Sequence, residues 1–382
     1  MDFRFGPDLD LLRQAAREFA ETHVAPLVPV MEREDRFPRE LVAKMGEAGL
    51  LGVTILPEYG GTGLGHLARM LVLEEVGAVS AAVAMMLQVC HLGIDPIVSG
   101  GSPEQKQRYL PGLATGGHVA TVAVTEATGG SDPTSIQTTY RRETRDGRSG
   151  WVLDGRKVFI TNAHLADVVV VLAREAGSEP ARFSTFIVEA GTPGFRPGRE
   201  EHKVGLKGCN TGELVMEDCF VPEGALLGPE GEGLRLALRA IAEVGRAGMA
   251  GCGLGLIRAC LESAAQFAAK RQLYGKPINR LPAVQTKLAD IALALETSRL
   301  LAYRAAWLKD QGVRCETEMA MAKYHATESA VTAAKLAAEV HGAYGYMMEY
   351  ATQRYLRDAQ LFLPSAGTSD IMRIVIGRSV AK

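Results

Sequence analysis

The chain lacks the marks of several functional classes. It has six cysteines, at positions 90, 209, 219, 252, 260 and 315, and none pair at C-x-x-C spacing. That argues against zinc-ribbon and thioredoxin-type sites. Cys252 and Cys260 fall in an apolar helical stretch and read as core thiols, so a reducing cytoplasm is the expected setting. There is no excess of charge of either sign, with a formal net of −2, and so no reason to expect nucleic acid or an anionic membrane as partner. No apolar run reaches the ~20 residues that a bilayer span needs. The first residues, Met1 to Pro7, lack a basic segment followed by an apolar one, so a secretory signal is not expected there. No C/H cluster suggests a metal. What remains is an ordinary globular composition, 47% apolar and 23% charged over 382 residues, enough for two or three domains sharing large cores.

Hydrophobic periodicity divides the chain into three zones. Residues 1–118 read as helices: 8–19 has Leu9, Leu12, Ala16 and Phe19 at helical spacing, and 41–50, 67–79 and 81–98 follow. Pro26, Pro38, Pro57 and the cluster Gly60-Gly61-Thr62-Gly63 punctuate them. In 119–227 the period changes. Short β-branched runs at 119–124, 151–161, 168–173, 183–189 and 213–220 predict strands, with turn signals at Asp146-Gly147 and Asp154-Gly155. A modest antiparallel β domain is the expectation. Residues 228–382 return to helix, with long segments at 234–271, 282–311, 315–341 and 350–361 and a last one from Ser369, which suggests a bundle. Gly245, Gly248, Gly251, Gly253 and Gly255 in the first of these would each cost about 1 kcal/mol in an isolated helix. Close packing of another helix or a ligand would explain them. The expected fold is therefore mainly α with a central antiparallel β domain.

Five motifs stand out. Residues 122–132 read Val-Ala-Val-Thr-Glu-Ala-Thr-Gly-Gly-Ser-Asp, a strand end followed by a glycine-rich turn. Residues 154–163 read Asp-Gly-Arg-Lys-Val-Phe-Ile-Thr-Asn-Ala. Arg271-Gln272-Leu273-Tyr274-Gly275 follows the first bundle helix, and Glu339-Val340-His341-Gly342-Ala343-Tyr344-Gly345 ends the third. Near the C-terminus stands Pro364-Ser365-Ala366-Gly367-Thr368-Ser369-Asp370-Ile371-Met372-Arg373. Together, and with Arg357-Asp358-Ala359, these resemble the signatures of the acyl-CoA dehydrogenase family over essentially the whole chain. The resemblance implies an N-terminal α domain, a β-barrel-like middle domain and a C-terminal four-helix bundle. It implies FAD as cofactor, an acyl-CoA substrate, an electron-transferring flavoprotein as acceptor and a homotetramer in which each FAD touches two subunits. It also assigns FAD contacts to Val124, Thr125, Gly130, Ser131, Phe159, Ile160, Thr161, Tyr274, Gly342, Thr368 and Asp370, and to Arg271, which in the family reaches the FAD pyrophosphate of a neighbouring subunit. Substrate contacts fall to Gln88, His91, Leu92, Ser131, Glu243, Arg246 and Gly367. Glu339 replaces a glutamine, and a carboxylate near a phosphate is unfavourable unless a cation intervenes.

The departure is Ala366. It stands where most of the family carries the glutamate that removes the proton next to the thioester carbonyl, and a methyl group accepts no proton. Some relatives carry that carboxylate on the first bundle helix instead, and the matching position here is Gly245, also empty. Glu243 is two residues away, about 200° around an ideal helix. On the helix of residues 81–98, Ala84, Gln88, His91 and Asp95 form one stripe. Asp95 is the only acid between Glu75 and Glu104. Facing an apolar pocket, its pKa would rise toward a useful range for a base, with His91 as a hydrogen-bonding neighbour. Alternatively Asp95, just before Pro96, merely ends the helix. The resemblance then implies oxidation of an alicyclic thioester such as cyclohex-1-ene-1-carboxyl-CoA by a vinylogous elimination, Asp95 taking a γ proton. Two alternatives stand beside it. One is a non-oxidative eliminase such as a desulfinase, against which counts the lack of Arg or Lys in 76–94. The other is a catalytically silent subunit of a hetero-oligomer.

Overall fold

A computed structural model describes residues 4–381. Six helices come first: α1 (Pro7–Phe19), α2 (Val28–Glu34), α3 (Glu40–Glu47), α4 (Gly65–Val79), α5 (Ala81–Gly100) and α6 (Pro103–Ala114). Their starts are locally encoded. Ser80 Oγ accepts the Val83 N–H at the head of α5, and Ser102 and Gln105 cap α6 reciprocally. Asp95 does not end α5: the helix runs through Pro96 to Gly100. Pro96 forfeits one N–H bond, which tertiary burial of this apolar helix offsets.

The middle sheet contains β1 (Ala120–Ala123), β2 (Thr139–Arg145), β3 (Arg148–Thr161), β4 (Val168–Glu175), β5 (Phe183–Glu189), β6 (Phe195–Glu200), β7 (Thr211–Pro222) and β8 (Leu226–Leu227). The order is β6-β7-β3-β2-β4-β5-β8, with β1 beside β4. The expected purely antiparallel domain is corrected: β4 pairs in parallel with both β1 and β2. The β1–β2 connection is long, so β1 can lie parallel to β4, while β2 forms an antiparallel hairpin with β3 and meets β4 in parallel only at Thr139 and Tyr140. Asp146-Gly147 is the β2–β3 turn, with φ of 49° and 75°, as a primed hairpin turn requires. Asp154-Gly155 is not a turn; it lies inside β3, at a register shift against β7. Here a bulge borrows the same residues that a turn would use.

The last zone holds α7 (Gly233–Ala240), α8 (Arg246–Lys270), α9 (Pro282–Asp310), α10 (Glu316–His341), α11 (Ala351–Phe362) and α12 (Ser369–Val380), plus a small hairpin of β9 (Gln272–Leu273) and β10 (Lys276–Pro277). The α8 glycines are spacers. A Cβ on Gly255 would lie 2.5 Å from the Gly77 backbone on α4, and one on Gly253 3.0 Å from the Ala326 carbonyl on α10. Small residues let the axes approach, and burial outweighs the poor helix propensity. Arg258 on α8 and Arg13 and Arg17 on α1 all bind Glu75 on α4. α5 and the region from α7 through α8 pass the length and hydropathy test for a membrane span, but both are mostly buried inside the protein, so their apolar character serves the core.

Between α7 and α8 the helix does not run regularly. Residues Ile241–Gly245 form a single π turn. Such a turn inserts extra backbone and turns carbonyls away from the helix ladder. This irregularity positions the site.

Candidate functional site

Two regions meet at the junction of α5, the π turn and the sheet. The first is a cradle on the β domain. The Val124–Ser131 turn is tied to β3 by the Val158 N–H donating to Thr125 O at 2.9 Å. Beneath it a buried ion pair joins the two motifs. Lys157 Nζ donates to Glu126 Oε1 at 2.7 Å and to Val124 O at 3.1 Å, while Glu126 accepts the Gln137 and Thr138 N–H groups. Burial pulls the Lys157 ammonium down to about 8, and Lys157 with these donors holds Glu126 below its ordinary range despite its burial. The motif-level reading had not singled out Lys157 or Glu126; the signal was an acid and a base recurring in two motifs that fold against each other.

Above this pair Phe159 is 65% exposed and has a φ of 57°, at a register shift between Lys157 and Ile160. A phenylalanine held outward in a left-handed backbone conformation is strained. It presents a flat apolar face to solvent, and Gly130 and Ser131 of the turn paired with this strand are exposed as well. Ile160 is buried beneath, and Thr161 is half-buried, its carbonyl accepting from Thr121 Oγ1 at 2.8 Å. These residues fit a planar, partly polar ring system. Gly342 has a φ of 61° and open space where a Cβ would be, and Arg271 lies over the Tyr344 ring at 5.7 Å. The cation that Glu339 needs is present: Lys287 donates to it. Tyr274 projects at 90% exposure. Thr368 caps α12 by accepting the Ile371 N–H at 3.2 Å, and Asp370 is exposed and paired with Arg373.

The second region is the pocket wall. A Cβ built on Gly245 would sit 3.3 Å from the Ala366 methyl and 3.7 Å from Leu92 Cδ1. Two positions 121 residues apart, both without a carboxylate, therefore face one point. Ala366 and Gly367 take φ of 53° and 99°, so the loop before α12 keeps a strained shape without its acid. The bulge brings Ile241 against the cluster containing Val122 and Val124, joining this wall to the cradle strand.

Around that wall the structure gathers buried charge. Arg69, fully buried on α4, donates from Nη1 to Gln88 Oε1 at 2.8 Å and to Val244 O at 3.1 Å. Gln88 Nε2 donates to the same carbonyl at 3.1 Å. Gln88 thus braces the π turn, in space that a side chain at Gly248 would fill. The absence of Arg or Lys from residues 76–94 did not leave this wall without a cation. Arg69 reaches it from α4, a contact that sequence separation concealed. Glu243 is paired with Lys309 of α9, and Arg246 is half-buried with its Nε unpartnered.

His91 does not hydrogen-bond Asp95. Its Nε2 contacts Leu50 O at 2.8 Å, and burial with the nearby Arg69 charge drives its pKa down to about 3, so the ring is neutral. One turn beyond Leu92, Asp95 accepts no hydrogen bond among the described residues and lies within electrostatic range of Lys309, Arg239, Arg69 and Glu243. Burial pushes its carboxyl pKa up, against the pull of those cations.

Comparison with known proteins places the arrangement. Family models described as acyl-CoA dehydrogenase N-terminal, middle and C-terminal domains match residues 6–117, 121–219 and 231–381. The chain belongs to the acyl-CoA dehydrogenase family. It is 40% identical over 370 residues to an acyl-CoA dehydrogenase of Bacillus subtilis, covering 96% of each chain. It is 39% identical over 368 residues to the mouse mitochondrial short-chain specific acyl-CoA dehydrogenase, covering 96% of this chain and 88% of that one. The butyryl-CoA dehydrogenase of Megasphaera elsdenii superposes with a TM-score of 0.95 at 32% identity, over 100% of both chains. The family binds FAD and its members are oxidoreductases acting on CH–CH bonds of acyl-CoA thioesters.

Proposed function

We propose that this family member oxidises an alicyclic acyl-CoA, of the cyclohex-1-ene-1-carboxyl-CoA type, with Asp95 as the base. The observation that carries the reading is that Gly245 faces both Ala366 and Leu92 with no acid at position 245 or 366, one helical turn from a carboxylate whose pKa burial pushes up and that accepts no hydrogen bond among the described residues. The Val124–Ser131 turn, Phe159 and Thr161 would hold FAD, which would supply the acceptor for two electrons. The chain supplies proton removal, and a base on the α5 side of the pocket reaches a ring carbon rather than the carbon next to the thioester carbonyl. Conjugation through a ring double bond makes a γ proton acidic enough for such a base. Loss of the usual glutamate suppresses the ordinary α,β reaction.

Glu243 is a weaker candidate because Lys309 already engages it. Arg69 gives the eliminase alternative the cation it lacked in the sequence, but the carboxylates of Asp95 and Asp310 lie within its electrostatic range and oppose its charge. An anionic acyl tail is therefore disfavoured. At the other end of the 25-residue α8, Arg271 and Tyr274 lie ~37 Å from the bulge. That separation supports their serving a second subunit's FAD, in a homotetramer that passes electrons to an electron-transferring flavoprotein. The deciding experiment is anaerobic flavin bleaching of the FAD-loaded protein with linear, branched, alicyclic and acidic acyl-CoAs. Bleaching by a cyclohexenoyl thioester, lost in Asp95→Asn with FAD retained, is the expected result. Unchanged turnover in that variant removes Asp95 from the role. Absence of bleaching with every thioester leaves the silent-subunit alternative.

A further inference from the structure

The wall beyond Leu92 contains polar atoms that the reaction above does not use. Arg69 Nε and Nη2 are buried donors without partners, and His91 Nδ1 is likewise buried and unpartnered. The His91 ring is neutral, and its Nε2 faces a carbonyl, so Nε2 carries the hydrogen and Nδ1 is a bare acceptor. Leaving such groups unsatisfied is costly. They belong to one neighbourhood. Arg69 bonds Gln88, one turn before His91 on α5, and the Arg69 charge acts on His91.

The neighbourhood selects a ligand by its chemistry. It offers two unmatched donors on Arg69 and an unmatched acceptor at His91 Nδ1, and the buried, unpartnered Nδ1 of His66 lies within electrostatic range of both residues. Its charges are already opposed: Arg69, Arg239 and Lys309 on one side, Asp95, Glu243 and Asp310 on the other. An anion would meet the carboxylates, and a cation would meet the guanidinium and ammonium groups. A neutral group that both accepts and donates suits it best.

We propose that the end of the acyl pocket beside α5 is a subsite for a hydroxyl group on the acyl moiety, with Arg69 donating to its oxygen and His91 Nδ1 accepting its hydrogen. This rests on the reading that Leu92, Gly245 and Ala366 surround the acyl group, and narrows the substrate class to hydroxylated rings. A pocket serving an unsubstituted ring has no use for these three polar atoms. A hydroxyl satisfies them and also fixes the ring's rotation, which decides the ring proton that meets Asp95.

The test uses the FAD-loaded protein and the unreactive aromatic thioesters benzoyl-CoA, 3-hydroxybenzoyl-CoA and 4-hydroxybenzoyl-CoA, titrated by calorimetry. At least one hydroxy isomer is expected to bind about tenfold more tightly than benzoyl-CoA. Arg69→Met and His91→Leu should each narrow that gap to within about twofold. Equal binding of all three ligands, as expected of a site that holds water only, overturns the proposal while leaving Asp95 as base untouched. So does an advantage that survives in a folded variant. Where neither variant folds, the comparison of ligands on the parent protein decides. Failure of all three to bind removes the ring substrate and the hydroxyl subsite together, whereas an inert Asp95→Asn substitution leaves the binding preference standing.

Discussion

The cradle and the pocket wall lie on either side of the same junction, and they treat buried charge in opposite ways. In the cradle, Lys157 and Glu126 are well partnered: each meets the other, Lys157 also donates to the Val124 carbonyl, and Glu126 also accepts backbone N–H groups. In the wall, Arg69 and His91 keep unpartnered atoms, and the half-buried Asp95 accepts no hydrogen bond among the described residues. A well-partnered pair fixes a shape, since breaking it strands a charge in low dielectric. Unpartnered groups are held ready for something that is not part of the chain. The difference separates residues that build a site from residues that wait for a substrate.

Substitutions can break this contrast. The largest effect is expected from Asp95→Asn, which should lower turnover of a cyclohexenoyl thioester by about 10³-fold with the flavin spectrum unchanged; steady-state kinetics beside absorbance measures both. Next, Lys157→Met strands Glu126 and should cost about 3–5 kcal/mol of local stability. It should appear as lost FAD in the purified protein and a lower melting temperature. The double change Lys157→Met with Glu126→Gln should recover part of both. If flavin content is unaffected, the buried pair is not what shapes the cradle. Ala366→Glu returns a carboxylate to the vacant point opposite Gly245. It should create butyryl-CoA oxidation roughly tenfold above the parent background, an order-of-magnitude expectation for a base placed without a refined surrounding shell. No gain would mean that the pocket has been reshaped along with its base.

The smallest effect is in pH dependence. Asp95 works ionised, and burial raises its pKa. Activity should therefore rise with pH through a midpoint above the ordinary aspartate value of about 4 and fall off below it. The profile of kcat/KM reads this directly. Asp95→Glu should move the acid limb, and a limb that stays in place points to a different group.

Much of the cradle was legible before any coordinates, because its parts are contiguous. Val124–Ser131 and Phe159–Thr161 each lie within one motif, and strand periodicity located most of β3, β4, β5 and β7. β2 and β6 were not located. Both have partly exposed, charge-rich patterns, which blur the two-residue alternation. The pocket wall was hardly legible. Arg69 reads as an ordinary residue on an apolar helix, and its role depends on Val244, 175 positions later. The π turn leaves no clear trace in composition, so an ideal-helix angle could not show that Glu243 would meet Lys309. His91 and Asp95 looked like natural partners at i and i+4. A carbonyl at Leu50, on a different segment, claimed the imidazole instead.

The sequence by itself determined the family, the order of α, β and α zones, and the absence of an acid at positions 245 and 366, since these depend on local period and residue identity. Only the tertiary structure decided that those two positions face each other beside Leu92, that Asp95 lies one turn further along the same helix, and that Arg69 arrives there without enough partners. Close approach of α4, α5 and a π turn makes those contacts, and the distances between remote segments are fixed by packing rather than by any one stretch of chain.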